Sequence, residues 1–208
     1  MEKYRNHNFQ ELIRCIEEYI RNIEEVYGFY NDTTFGFSLI LKHLPDGDWQ
    51  VFHGKADPSH GKVKLRQMAT AKEVRARNAA TEIKQKRAFH PLITSIYTMW
   101  EHEYRRSISI ASGLSGKGDD LVGSDMMGAL RHLRNHILHN KGFIPEKEPK
   151  LPAIRKMRVF SQLDIGDEIF FNDDSYDVYE IVRGIKIDLD KIVIAATAQD
   201  QECRKFGI

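Results

Sequence analysis

The chain has 208 residues and two cysteines, Cys15 and Cys203, near opposite ends and without a C-x-x-C pair, so it needs no disulfide framework and reads as a protein of a reducing compartment. A formal charge of +1 excludes a globally basic nucleic-acid binder, and there is no run of about 18 apolar residues of the kind a membrane span needs. The polar start MEKYRNHNFQ lacks a signal-peptide pattern, and the expected location is cytoplasmic.

Charge is unevenly placed. From Gly61 to Arg87 nine Lys or Arg face two Glu, whereas from Leu163 to Asp190 nine Asp or Glu face one Arg and one Lys. The basic stretch reads either as a phosphate-facing surface or as a solvated helix face neutralised by the acidic tail.

A first helix is predicted over Phe9–Tyr27, where Phe9, Leu12, Ile13, Ile16, Tyr19, Ile20, Ile23, Val26 and Tyr27 recur at helical spacing. Gly28 offers a stop and Asn31-Asp32 a new start. Phe37–Leu44 and Trp49–His53 flank Pro45-Asp46-Gly47-Asp48, which suggests a hairpin, though a short helix through the first run fits as well. After the turn-rich 57–61 segment, an exposed helix is expected from about Leu65 to Lys86. Pro91 suits the first turn of another helix, which Leu92, Ile93, Ile96, Tyr97, Trp100 and Tyr104 continue to about Ser109. Ala111–Gly118 then reads as a flexible loop; it lacks the Walker spacing and the Ser or Thr after Lys117 that a phosphate cradle needs.

Ser124 or Asp125 caps a helix running to Asn140 or Lys141, with Gly142 as its stop. Pro145, Pro149 and Pro152 mark a connection to a C-terminal part with strand-like runs at Arg158–Phe160 and Glu168–Phe171 and a helix from Ser175 to about Ile187. The run through Asn172-Asp173-Asp174 lacks the alternating acids and later Glu of a calcium loop and reads as a strand, a turn and a capped helix. The expected fold is mainly α, a helical bundle with small β elements. Residues 1–147 form the helical domain and 148–208 an acidic α/β appendage packed on it.

The helix after the glycine loop carries the chemistry. At about 100° per residue, Met126, Leu130, Leu133 and Ile137 fall in one narrow, core-facing sector. Asn135 and His139 lie opposite it, joined by His132, with Arg131 and His136 nearby. A histidine exchanges protons near neutral pH, and an arginine stays charged and forks two hydrogen bonds to phosphate oxygens. That pair suits a phosphodiester, and RNA brings its own nucleophile, the 2′-hydroxyl. His132, His136 and His139, at i, i+4 and i+7, also have a spacing that can point imidazoles at one zinc ion, but the His-Glu-x-x-His pattern is absent; no metal or other cofactor is expected. Tyr97, Trp100 and Tyr104 read as core or as stacking platforms for bases.

Arg134-Asn135-His136-Ile137-Leu138-His139 resembles the R-x4-6-H motif of the HEPN superfamily, including a polar residue just after the arginine. The setting is similar too: the motif sits late in a helix, and an earlier helix brings Trp100-Glu101. The resembling region runs from about Leu65 to Gly142. The resemblance implies a helical bundle that dimerises through the motif helices, and a metal-independent ribonuclease of toxin–antitoxin or other defence systems. It implies His139 as general acid or base, Arg134 as phosphate-binding and charge-stabilising group, and Asn135 as orienting residue. Glu101 either supports the site, a place for which Glu103 is also a candidate, or pairs with Arg105 in the same helix. The implied partners are RNA, a second copy of the chain, and an antitoxin protein or nucleotidyltransferase. The other function that fits is a non-catalytic module for nucleotide or RNA binding or for dimerisation.

Five residues separate Arg134 from His139, which sets them about 140° apart around the helix. Spacing alone does not pair them on one chain. A two-fold dimer packing this helix against its mate removes the difficulty, so a homodimer is expected from the chemistry as well.

Overall fold

A computed structural model of the chain describes residues 2–44, 50–57, 62–78, 88–114, 122–170 and 174–205. The fold is mainly helical with small β elements, as expected. In chain order the elements are α1 (Glu2–His43), β1 (Gln50–Asp57), β2 (Lys62–Thr70) and α2 (Ala71–Asn78). There follow α3 (Phe89–Met99), a π turn (Trp100–Tyr104), α4 (Arg105–Ser112), α5 (Asp125–His139), α6 (Leu151–Arg155), a 3-10 turn (Arg158–Phe160) and α7 (Asp174–Lys205). Two compact units result, one of residues 1–29 with 89–208 and the other of residues 30–88. Among the described residues no helix is long and apolar enough to cross a membrane.

The second unit differs most from the sequence-based expectation. Helix α1 does not stop at Gly28 but continues to His43, so Phe37–His43 is helical and no strand pairs it with Trp49–His53. A single glycine costs only about 1 kcal/mol in a helix, and Thr34 and Ser38 satisfy their hydroxyls on the carbonyls of Asn31 (2.9 Å) and Phe35 (2.7 Å) without breaking it. Residues Pro45–Trp49, with the anticipated turn, lie outside the described residues.

The hairpin is instead β1 with β2, antiparallel, from Gln50 opposite Thr70 to Asp57 opposite Lys62, with an irregularity between His53 and Gly54. The helix expected from Leu65 is a strand up to Thr70 and, among the described residues, a helix over Ala71–Asn78. Lys62-Val63-Lys64-Leu65-Arg66 alternates polar and apolar residues, a period-2 signal that helix-forming composition obscures. Thr70 and Glu73 then start α2 as a capping box. The Glu73 N–H donates to Thr70 Oγ1 (3.1 Å), and the Thr70 N–H donates to Glu73 Oε2 (2.7 Å). Residues 79–87 and the side chains of 51–68 lie outside the described ones, and most of the basic stretch lies there.

In the first unit, Leu12, Ile16, Tyr19 and Ile23 of α1 are buried at the spacing the sequence announces. Tyr19 is wholly buried; its hydroxyl donates to the Ile96 carbonyl (3.0 Å), and its ring lies 5.8 Å from Trp100 and 4.9 Å from Tyr104. Trp100 and Tyr104 are therefore core aromatics, not base-stacking platforms. Helix α4 ends on Gly113 at φ 67°, where the absence of a Cβ removes the usual cost of a left-handed residue. The loop that follows, 115–121, lies outside the described residues.

Helix α7 runs far beyond Ile187, because Val178, Ile181, Val182, Ile185, Leu189, Ile192 and Ala196 continue one buried stripe and no proline interrupts it. The anticipated strand at Arg158–Phe160 is a 3-10 turn with Phe160 buried, while Glu168 pairs with Phe143 in an isolated antiparallel bridge. Residues 171–173 lie outside the described set.

The start of α5 is held from α7. Ser124 caps the helix by accepting the Met127 N–H (3.1 Å) and donates its hydroxyl proton to Asp188 Oδ2 (2.7 Å), which also accepts the Met126 N–H (2.9 Å). Asp188 is only 8% exposed, and Lys191 reaches its second oxygen at 2.7 Å. The far end closes on Gly142, at φ 85°, whose N–H donates to the His136 carbonyl (3.0 Å). A Cβ there would meet His90 Cε1 at 2.8 Å, so the position demands glycine on two grounds.

Candidate functional site

Helices α3 and α5 pack against each other, and between them lies a cavity of about 280 Å³. Its walls are Tyr97, Thr98, Glu101 and His102 from the α3–π-turn side and Arg131, Arg134 and Asn135 from α5. Four of the residues singled out in the sequence, Glu101, Arg131, Arg134 and Asn135, thus share one concavity. His132, His136 and His139 are not among its lining residues.

The rotation of α5 explains the division. Its buried residues are Met127, Ala129, Leu130, Leu133 and His136, whereas Met126 and Ile137 are half-buried. Leu130 and Leu133 hold the centre of the expected stripe. Arg134 and Arg131 fall on one flank of it, and His132, His136 and His139 fall towards the other.

Arg134 is half-buried. Its Nη1 donates to Asn135 Oδ1 at 3.1 Å, so Asn135 steadies the guanidinium. The Arg134 Nε is buried and has no hydrogen-bond partner among the described residues. Burial of a guanidinium N–H without a partner is costly. Arg131 is exposed at the cavity rim.

Glu101, rather than Glu103, faces the cavity. It accepts the Tyr97 hydroxyl at 3.0 Å and lies 3.4 Å from Arg105 Nη1, the i, i+4 pairing that the sequence offers. Burial, and then the hydrogen bond to Glu101, push the Tyr97 hydroxyl pKa up, so it stays a donor.

His136 corrects an expectation: it belongs to the interior and not to the polar face, with 5% of its surface exposed. The 140–150 segment folds back over the end of α5 and brings Glu148 Oε2 to 2.8 Å from Nε2, while Asn140 Nδ2 lies 2.9 Å from Nδ1. Burial lowers its pKa from the ordinary 6.5, against the opposing pull of Glu148. Half-buried His132 is shifted the same way for the same leading reason. A group that is neutral when folded and protonatable when unfolded removes stability as pH falls below its unfolded pKa. We therefore expect the unfolding free energy, from denaturant titrations, to decline below pH 6.5 and level off below the folded-state pKa. His136→Gln should flatten that decline, and a decline of unchanged steepness would refute the assignment.

His139 is exposed, at the last residue of α5. Among the described residues no three His, Cys, Asp or Glu side chains converge as metal ligands, so the zinc-like spacing of His132, His136 and His139 is not gathered into a cluster.

Sequence reasoning missed His102. The clue was its position directly after Glu101, as Thr98 follows Tyr97 and Asn135 follows Arg134 in the same lining. Here the Arg105 N–H bonds to the Trp100 carbonyl, closing a π turn. Glu101 and His102, both within this turn, line the same cavity. Such turns inside helices occur often at functional sites.

No family model, curated protein or solved structure matches the chain.

Proposed function

We propose that this chain is a metal-independent endoribonuclease of the HEPN type, cutting RNA by attack of the 2′-hydroxyl on the adjacent phosphate and leaving a 2′,3′-cyclic phosphate end. The observation that carries the reading is the cavity that Arg131, Arg134 and Asn135 share with Glu101. Two guanidinium groups, one of them steadied by an amide, suit a phosphodiester and the charge that builds on it in the transition state. Arg134 binds and stabilises that charge, Asn135 positions Arg134, and His139 exchanges a proton with the reacting oxygens.

His139 stands on the other flank of α5 from Arg134, so the complete site takes His139 from a second copy, and the working form is a homodimer. The cellular setting that goes with this chemistry is a toxin or defence effector, held in check by an antitoxin protein or a nucleotidyltransferase.

The separation of His139 from the cavity also favours a second reading, a non-catalytic module that grips RNA or a nucleotide through its arginines. Incubating labelled RNA with the protein in EDTA separates the two. Cleavage that falls by about 10²-fold or more in both Arg134→Ala and His139→Ala is the expected result. Binding without cutting by the parent protein selects the module, activity unaffected by both substitutions refutes the assigned site, and cutting abolished by chelation refutes metal independence.

A further inference from the structure

Transesterification of RNA needs two proton transfers, one from the attacking 2′-hydroxyl and one to the departing 5′-oxygen. The motif on α5 offers one exposed histidine, His139, since His136 is turned into the interior against Glu148 and Asn140. Arg131 and Arg134 nevertheless have an imidazole across the cavity from them, that of His102 on the opposite wall. His102 is exposed, and no hydrogen bond or ion pair engages it among the described residues. The carboxylate one residue earlier is committed to Tyr97 and Arg105. The cavity, about 280 Å³, falls just under the ~300–1,000 Å³ usual for small-molecule sites, a size for one nucleotide unit rather than a longer segment.

We propose that His102 is a catalytic residue that carries one of the two proton transfers on the phosphodiester gripped by Arg131 and Arg134. This rests on the ribonuclease reading and adds to it a residue from outside the R-x4-6-H motif. In the reaction the 2′-oxygen gives up its proton to one imidazole and forms a bond to phosphorus. The bond from phosphorus to the 5′-oxygen breaks with its electron pair, and that oxygen takes a proton from the other imidazolium. His102 and His139 supply these two imidazoles, and proton exchange with water restores both.

The test is the pH dependence of RNA cleavage in EDTA by the wild-type protein, His102→Gln and His102→Ala. Wild type is expected to give a bell-shaped kcat/KM profile. His102→Gln should lower kcat by about 10²-fold or more, leave RNA affinity unchanged and remove one limb of the bell. Loss of the alkaline limb makes His102 the acid, and loss of the acidic limb makes it the base. Free imidazole should restore part of the rate of His102→Ala but none of that of Arg134→Ala. An unchanged thermal midpoint, expected for so exposed a side chain, shows that the variants fold. A kcat within a few-fold of wild type, a bell with both limbs intact, or a loss confined to KM overturns the proposal. If wild type cuts and Arg134→Ala does not while His102→Gln cuts normally, His102 alone is wrongly assigned. If wild type does not cut at all, the ribonuclease reading falls and takes this proposal with it.

Discussion

Mixing Arg134→Ala with His139→Ala protein should restore roughly a quarter of the wild-type RNA cleavage, although each variant alone is nearly inactive. The fraction follows from two-fold symmetry. In the homodimer proposed above, each of two clefts takes Arg134 from one copy and His139 from the other. A mixed dimer of the two variants therefore concentrates both losses in one cleft and leaves the other intact. Random pairing makes about half of the dimers mixed, each with one of its two clefts working. If arginine and histidine served the same cleft from one chain, no mixed dimer would contain a complete site. Cleavage by the equimolar mixture, after time for subunit exchange, measures this directly. A mixture no more active than its components would refute the shared cleft, even if both residues matter.

Replacing Asp188 by alanine should cost about 3 kcal/mol of stability, more than loss of an ordinary surface contact. The buried carboxylate accepts from Ser124 and from the Met126 N–H at the start of α5, and Lys191 balances its charge. Alanine would strand that N–H and weaken the Ser124 cap, whose loss alone is worth about 1 kcal/mol. For a chain of this length the thermal midpoint should drop by roughly 6–12 °C. The pH dependence has a definite sign. Burial pushes the Asp188 carboxyl pKa up, but hydrogen bonds from Lys191, Met126 and Ser124 outweigh it and hold it below the ordinary 3.8. Its contribution is therefore present above that value and lost as pH falls below it. A midpoint within 2 °C of wild type at neutral pH would show that the α5–α7 clasp carries little weight.

The same clasp bears on the cavity. Arg131, Arg134 and Asn135 stand on α5 at an azimuth set by which face is buried, and Asp188 fixes where that helix starts. Asp188→Ala is thus expected to act on activity through stability, with cleavage recovering at lower temperature.

Much of the first unit is legible in the sequence because its helices advertise a stripe. Tyr19 and Ile23, Ile93 and Ile96, and Leu130 and Leu133 recur at intervals of three and four and are buried. Ser124 and Gly142 bound α5 as caps do, since their reasons are local: a hydroxyl that accepts an N–H and a backbone that tolerates positive φ. Where local signals conflict, legibility ends. Gly28 and Asn31 signal a stop that the helical run through Phe37 overrides, and the alternation of Lys62 to Arg66 hides within a lysine- and arginine-rich composition.

For the candidate site, helical periodicity read from the sequence places Asn135 on the face of α5 opposite Leu130 and Leu133, with Arg131 nearby. Packing against the rest of the chain sets what that face meets. It turned His136 inward, because a segment twelve residues further along the chain carries Glu148 back to it. It set Glu101 and His102 opposite the arginines, because α3 packs against α5. Periodicity describes one helix in isolation, whereas a cleft is made by two, and their relative rotation depends on contacts such as Tyr19 with Ile96 and Asp188 with Met126, which join positions far apart in the chain.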